Sequence, residues 1–263
     1  GLAVLEDFGD ALFARVIEAG EAEEPLYLAA VEALAALHAV QPPVRLSGAA
    51  GDWPLLVYDE TALQGGADLF VEWMPALDPA LSFDDAAVAD WRAAWRPVVE
   101  RGAAGATVMA HRDYHAENLI RLPDREGAAM VGMIDFQDAV RAHPSWDLHS
   151  LLQDARRDVS PALEARALDH YFSLRPGVDR AVFMRDYAGL AALSAKAMLR
   201  PEHLGREIDA SAHHDVQGIE HDLGCVALRY EARRARVECS ADRQGVGLAG
   251  EHDDARRTAC LAK

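Results

Sequence analysis

Three side chains in this sequence have the types and spacing that phosphoryl transfer requires. Asp113 and Asn118 stand five positions apart in His111-Arg-Asp-Tyr-His-Ala-Glu-Asn118, and Asp135 closes the apolar run Val131-Gly-Met-Ile134. Transferring a phosphoryl group asks a protein for little covalent chemistry. One carboxylate orients the attacking hydroxyl and accepts its proton, while carboxylate and amide oxygens hold the Mg²⁺ that neutralises the phosphate charge. Asp113 fits the first role; Asn118 and Asp135 fit the second. An isolated His-x-Asp or a lone Asp after a strand carries little information, but the loop, a hairpin and a second Asp in this order carry a good deal.

The elements that must position these groups follow from periodicity and turn chemistry. Asn118–Leu122 and Ala129–Ile134 read as two strands joined by the turn Pro123-Asp-Arg-Glu-Gly127, so folding back brings Asn118 beside Asp135. Thr107-Val-Met-Ala110 is a short apolar lead into the polar cluster. Upstream, residues 1–5 read as a short buried strand, and Asp10 is a candidate cap for a helix at 11–19. Residues 24–39 form an amphipathic helix whose apolar face includes Leu26, Leu34 and His38. Residues 44–57 read as loop. Helices are predicted at 59–75, despite Gly65-Gly66, and at 83–101, capped by Ser82 or Asp84, with Trp91 and Trp95 one turn apart. Further helices are predicted at 145–157, 160–173 and 178–199. Beyond residue 200, periodicity weakens, and five of the eleven His and all three Cys gather there.

Composition narrows the function classes. A net charge of −17 repels nucleic acid and anionic membrane; a solvated acidic surface explains it, and a cationic substrate is the sharper alternative. No apolar run approaches the ~20 residues of a membrane span, and no signal peptide opens the chain, so a cytoplasmic location is expected. Cys225, Cys239 and Cys260 show no paired spacing, which argues against a disulfide framework or a zinc site.

Several segments together resemble the aminoglycoside phosphotransferase and choline-kinase-like superfamily, and within it the bacterial anomeric kinases of N-acetylmuramate and N-acetylglucosamine. They are Leu5-Glu-Asp-Phe-Gly9, residues 111–119, residues 131–139 and residues 143–159, with Tyr58-Asp59 and Leu69–Trp73 in support. The resemblance spans about residues 1–190. It implies an α+β, protein-kinase-like fold, mostly the helical C-terminal lobe with a short β-hairpin. It implies ATP and Mg²⁺ as cofactors and a small sugar or amino-sugar as acceptor. Asp113 then resembles the catalytic base, His111 the buttress of its loop, and Asn118 and Asp135 the Mg²⁺ and nucleotide ligands. Glu6 and Asp7 mark the hinge whose backbone would hydrogen-bond adenine. Asp147 resembles the Asp that fixes the catalytic loop, or is a helix N-terminal acid favoured by the dipole. Arg112 and His115 either face the sugar or hold the loop. Gln137 and Asp138 lie near substrate or on the surface.

The family's small N-terminal lobe normally supplies a phosphate-covering loop and a Lys paired with a Glu. Nothing before the hinge-like segment supplies either, and the first Lys is Lys196. The expected division is therefore a hinge remnant at 1–9, a C-terminal lobe at 10–199 and an anomalous tail at 200–263, with the N-terminal lobe largely absent. The reaction expected is transfer of the γ-phosphate of ATP to a sugar hydroxyl. An aminoglycoside or other small-alcohol kinase, and an inactive kinase-like binding module, stand as the alternatives. Oligomeric state is left open.

Overall fold

The computed structural model describes residues 6–48, 51–78, 81–154 and 156–197. The strand expected at 1–5 and the tail from 200 lie outside them.

Helix α1 spans Phe13–Glu18, shorter than expected, and Asp10 does not cap it. Leu12 occupies the cap position in an extended conformation, bridged to Ile120, and the Ala14 N–H donates to the Ala116 carbonyl at 3.0 Å. A free N–H of the first turn is thus satisfied by the polar loop itself, so no capping side chain is needed. Helix α2, Glu23–Ala39, begins with two glutamates where the dipole favours them and buries Leu26, Ala30, Val31 and Leu34. Burying each such Leu contributes about 1.5–3 kcal/mol.

The loop expected at 44–57 is instead an antiparallel ribbon, β1 Arg45–Gly48 with β2 Gly51–Pro54. Every one of its residues is exposed, so no alternation of apolar and polar positions announces it. A hydrogen bond from Ser47 Oγ to Asp52 Oδ1 at 2.7 Å fastens its end. Helix α3, Glu60–Leu77, is capped by Asp59, and α4, Asp85–Ala104, by Asp84 rather than Ser82; each carboxylate accepts the N–H three residues on. Trp91 and Trp95 share a buried face of α4, with Phe70 stacked on Trp91 at 4.9 Å.

The centre of the chain makes two short ribbons. Strand β3, Val108–Ala110, pairs with β6, Val140–Ala142, and β4, Leu119–Arg121, pairs with β5, Val131–Met133. The predicted hairpin is therefore present, although Gly127–Met130 forms a 3-10 turn and shortens its second strand, whereas β6 pairs with a strand far away in sequence and no turn announces it. Helix α5 is Ser145–Leu152, ending well before 157 because the chain turns at Gln153 and Asp154 accepts the Arg156 N–H. Helices α6, Pro161–Leu174, and α7, Arg180–Ala197, complete the described residues. Seven helices and three two-stranded ribbons among those residues answer the α+β expectation. Side chains of α1, α2, α5, α6 and α7 form one core with Tyr114 and Leu119, which come from the polar loop and the strand after it.

Candidate active site

The loop at 111–118 leaves β3 and enters β4, so each end is tied to a ribbon. Its middle is held by a buried carboxylate. Asp147, fully buried on the first turn of α5, accepts the His111 N–H at 2.7 Å and the Arg112 N–H at 2.9 Å. A buried carboxylate is tolerated when N–H donors satisfy its oxygens. His38 of α2 adds a third contact. Its Nε2 lies 4.0 Å from Asp147, and its Nδ1 lies 2.9 Å from the Tyr171 hydroxyl. The likeness-based role for Asp147 as a loop clamp thus has a geometry; its place in the first turn of α5 serves the same end.

His111 ties the loop to the opposite ribbon. Its Nε2 donates to the carbonyl of Ile134, the residue before Asp135, at 2.8 Å. The Ile134 N–H in turn donates to the Asn118 carbonyl at 3.1 Å. With Leu119 opposite Met133, these bonds set Asn118 and Asp135 side by side at the open end of the hairpin. Tyr114 is fully buried and donates its hydroxyl hydrogen to the Ala30 carbonyl, locking the loop to α2.

Asp113 and Asp135 are exposed, and neither carboxylate has a hydrogen bond or ion pair among the described residues. Asn118 is the opposite. Its Nδ2 donates to the Asp113 carbonyl at 3.0 Å and lies 3.3 Å from His115 Nε2. Both contacts engage the amide nitrogen, which leaves the amide oxygen for an incoming cation. His115 is buried; burial and the nearby Arg156 lower its pKa, so it sits neutral with Nε2 as acceptor. No group of three His, Cys or carboxylate side chains that could hold a metal exists among the described residues. One carboxylate and one amide oxygen nevertheless suit Mg²⁺, which keeps waters and takes its remaining ligands from substrate phosphates.

Two residues of the site adopt left-handed backbone. Asp135 has φ 60° and ψ 32°, turning the chain from β5 into a 3-10 turn at Phe136–Asp138, and Arg112 has φ 83°. Asp accepts this region fairly readily; a long side chain such as Arg does so at a cost. The Arg112 carbonyl accepts a hydrogen bond from Trp146 Nε1 at 3.3 Å, and Tyr58 packs edge-on against Trp146 at 4.6 Å. The Arg112 guanidinium lies 3.6 Å from Asp138. Gln137 is exposed and Asp138 half exposed. Sequence reading missed the supporting parts played by His38, Tyr58 and Trp146. The adjacency of Trp146 to Asp147 on one helical turn was the available signal for the last of these.

Glu6 and Asp7 lie apart from this cluster, in a cleft of about 530 Å³ lined by residues 6–11 and 121–125. Their side chains are engaged locally: Glu6 pairs with Arg125, and Asp7 accepts the Gly9 N–H at 2.8 Å. Phe8 covers Gly132 of β5, where a Cβ would fall 2.7 Å from the Phe8 ring. That contact joins the cleft to the strand leading to Asp135. A Gly-x-Gly-x-x-Gly spacing stands at Gly245, Gly247 and Gly250, downstream of the hairpin and outside the described residues.

Residues 5–192 match a family model described as the phosphotransferase enzyme family. Among curated proteins, an N-acetylmuramate/N-acetylglucosamine kinase of Caulobacter vibrioides is 57% identical over 194 residues, covering 74% of this chain and 53% of that protein. Its namesake in Pseudomonas putida is 30% identical over 155 residues, covering 59% of this chain and 41% of that protein. The chain therefore spans about half the length of the curated relatives it matches. A crystal structure of the ADP-bound aminoglycoside phosphotransferase APH(2'')-Ib aligns with a TM-score of 0.40 at 18% identity, over 72% of this chain and 70% of that one.

Proposed function

The chain belongs to the phosphotransferase enzyme family, and we propose that it carries the catalytic part of an ATP-dependent kinase acting on a sugar hydroxyl, the anomeric hydroxyl of N-acetylmuramate or N-acetylglucosamine. The observation that carries this reading is the gathering of Asp113, Asn118 and Asp135 around one hairpin, on a loop clamped through its backbone by Asp147. The names of the relatives supply the acceptor.

In this reading the exposed Asp113 carboxylate orients the acceptor hydroxyl and takes its proton. Asn118 and Asp135 would hold Mg²⁺, which when bound neutralises the phosphate charge. His111 keeps the base and Asp135 in register through the Ile134 carbonyl. Backbone at Glu6 and Asp7 receives adenine, and the cleft beside the hairpin is the space for it. The described residues are read as the large lobe of a kinase-like fold. No helix among the described residues is long and apolar enough to cross a membrane.

The test is phosphate transfer from labelled ATP by a chimera joining this chain to the part of the Caulobacter protein outside the matched 53%. Both amino sugars and an aminoglycoside serve as acceptors. Asp113→Ala should cut kcat by about 10²-fold or more while sparing Mg·ATP affinity. Asp135→Ala should abolish Mg²⁺-dependent nucleotide binding. Near-normal turnover in Asp113→Ala sinks the base assignment. Transfer to the aminoglycoside alone moves the acceptor class, and Mg·ATP binding without transfer to any acceptor makes the chain a binding module.

A further inference from the structure

Arg112 is a long side chain held in left-handed backbone, at φ 83°, immediately before the candidate base. The loop does not need that side chain. Asp147 fixes its N–H and Trp146 its carbonyl, so the backbone alone accounts for the loop's position. Glycine would serve the same backbone at lower conformational cost. Among the described residues the guanidinium pairs with Asp138 at 3.6 Å, both side chains about half exposed, and lies beside the Tyr58 hydroxyl, contacts at the surface that stabilise little. A strained non-glycine residue whose side chain makes only exposed contacts points to a job in the site.

The surroundings define that job. Asp113, Asp135 and Asp138 place negative charge around the acceptor position, and an anionic acceptor would be repelled without a cation beside the base. Arg112 carries the guanidinium next in sequence to Asp113, whereas Arg156, the other guanidinium near this loop, is already paired with Asp154 and Glu117, and the planar fork of Arg112 matches a carboxylate bidentately. We infer that Arg112 is the specificity-determining residue for a carboxylate on the acceptor sugar, held in reserve by Asp138 until that carboxylate displaces it. N-acetylmuramate bears such a group, a lactyl ether carboxylate, where N-acetylglucosamine has a hydroxyl. The inference rests on the amino-sugar reading given above.

Ligand-observed NMR titration of this chain with each sugar separates the possibilities. The wild-type chain should bind N-acetylmuramate more tightly, and Arg112→Gly should reduce the ratio of the two affinities by about tenfold or more, the loss expected for a hydrogen bond to a charged group. Arg112→Gly relieves the positive φ, so its melting temperature should not fall. Asp138→Asn should raise the ratio severalfold by freeing the guanidinium, a change in the direction opposite to loss of structure. A ratio indifferent to both substitutions overturns the inference alone. So does loss of Mg·ATP affinity in Arg112→Gly with the sugar ratio unchanged, which would assign the guanidinium to the nucleotide. Binding of neither sugar by the wild-type chain overturns the amino-sugar reading itself.

Discussion

Asp147 decides more about this site than its distance in sequence from Asp113 suggests. A single buried carboxylate satisfies two backbone donors that would otherwise be orphaned inside the protein. Replacing it by Asn keeps the shape but turns an amide N–H₂ toward one of those donors. We expect Asp147→Asn to lower unfolding free energy by about 1–3 kcal/mol and Asp147→Ala by about 3–5 kcal/mol, measured by urea titration. A loss below half a kilocalorie for Asp147→Ala would mean that the loop holds itself. The three chemistry-bearing residues were legible because their spacing alone describes a loop followed by a hairpin. The function of Asp147 was legible only by likeness, since its partners are backbone groups 35 and 36 positions earlier and leave no pattern. The strain at Arg112 left no trace at all: nothing in a residue type reports its φ.

At the scale of elements, helices were read well and ribbons unevenly. The α2, α3 and α4 segments carry apolar periodicity and, for the last two, an Asp at the cap. The β1–β2 ribbon buries nothing and so offers no period, while β6, no shorter than β4 and β5, pairs with the sequence-distant β3 and has no adjacent turn to announce it. How closely the elements meet can be probed at two glycines. A Cβ at Gly105, just after α4, would fall 2.2 Å from His143 Cδ2, against the buried ring that precedes α5. Gly65, inside α3, has nothing within 4 Å of where its Cβ would stand. Gly105→Ala should therefore destabilise by about 1–3 kcal/mol, as overpacking does. Gly65→Ala should stabilise by about 0.5–1 kcal/mol, by restricting the unfolded chain in a residue already helical. Thermal melts of the pair should move in opposite directions; movement in the same direction would contradict the packing at the α4–α5 corner.

At the scale of the molecule, two buried histidines couple the fold to pH. Burial lowers His143 and His149 to about 4, against about 6.5 in an unfolded chain. Between those values the unfolded state binds more protons than the folded one, so stability rises with pH there. It is complete above the unfolded value and is lost as pH falls toward 4, at about 1.4 kcal/mol per pH unit for each histidine. Melting temperatures recorded from pH 7 to pH 4 should decline across this window, and His149→Phe should flatten the decline; an unchanged slope in that variant would show that its ring does not stay neutral. Both rings lie on the α5 side of the 111–118 loop, with Trp146 packed on His149 at 5.0 Å, so acid should loosen the clamp's own support.

The backbone clamp has one more consequence, for solvent exchange. Arg112 shows its side chain to water, yet its N–H ends on a carboxylate with no exposure. That hydrogen is released only when α5 itself lets go, and not when the loop's surface breathes. The Arg112 amide should therefore exchange far more slowly than its exposed side chain suggests, so the loop should keep time with the core rather than with the surface it lies on.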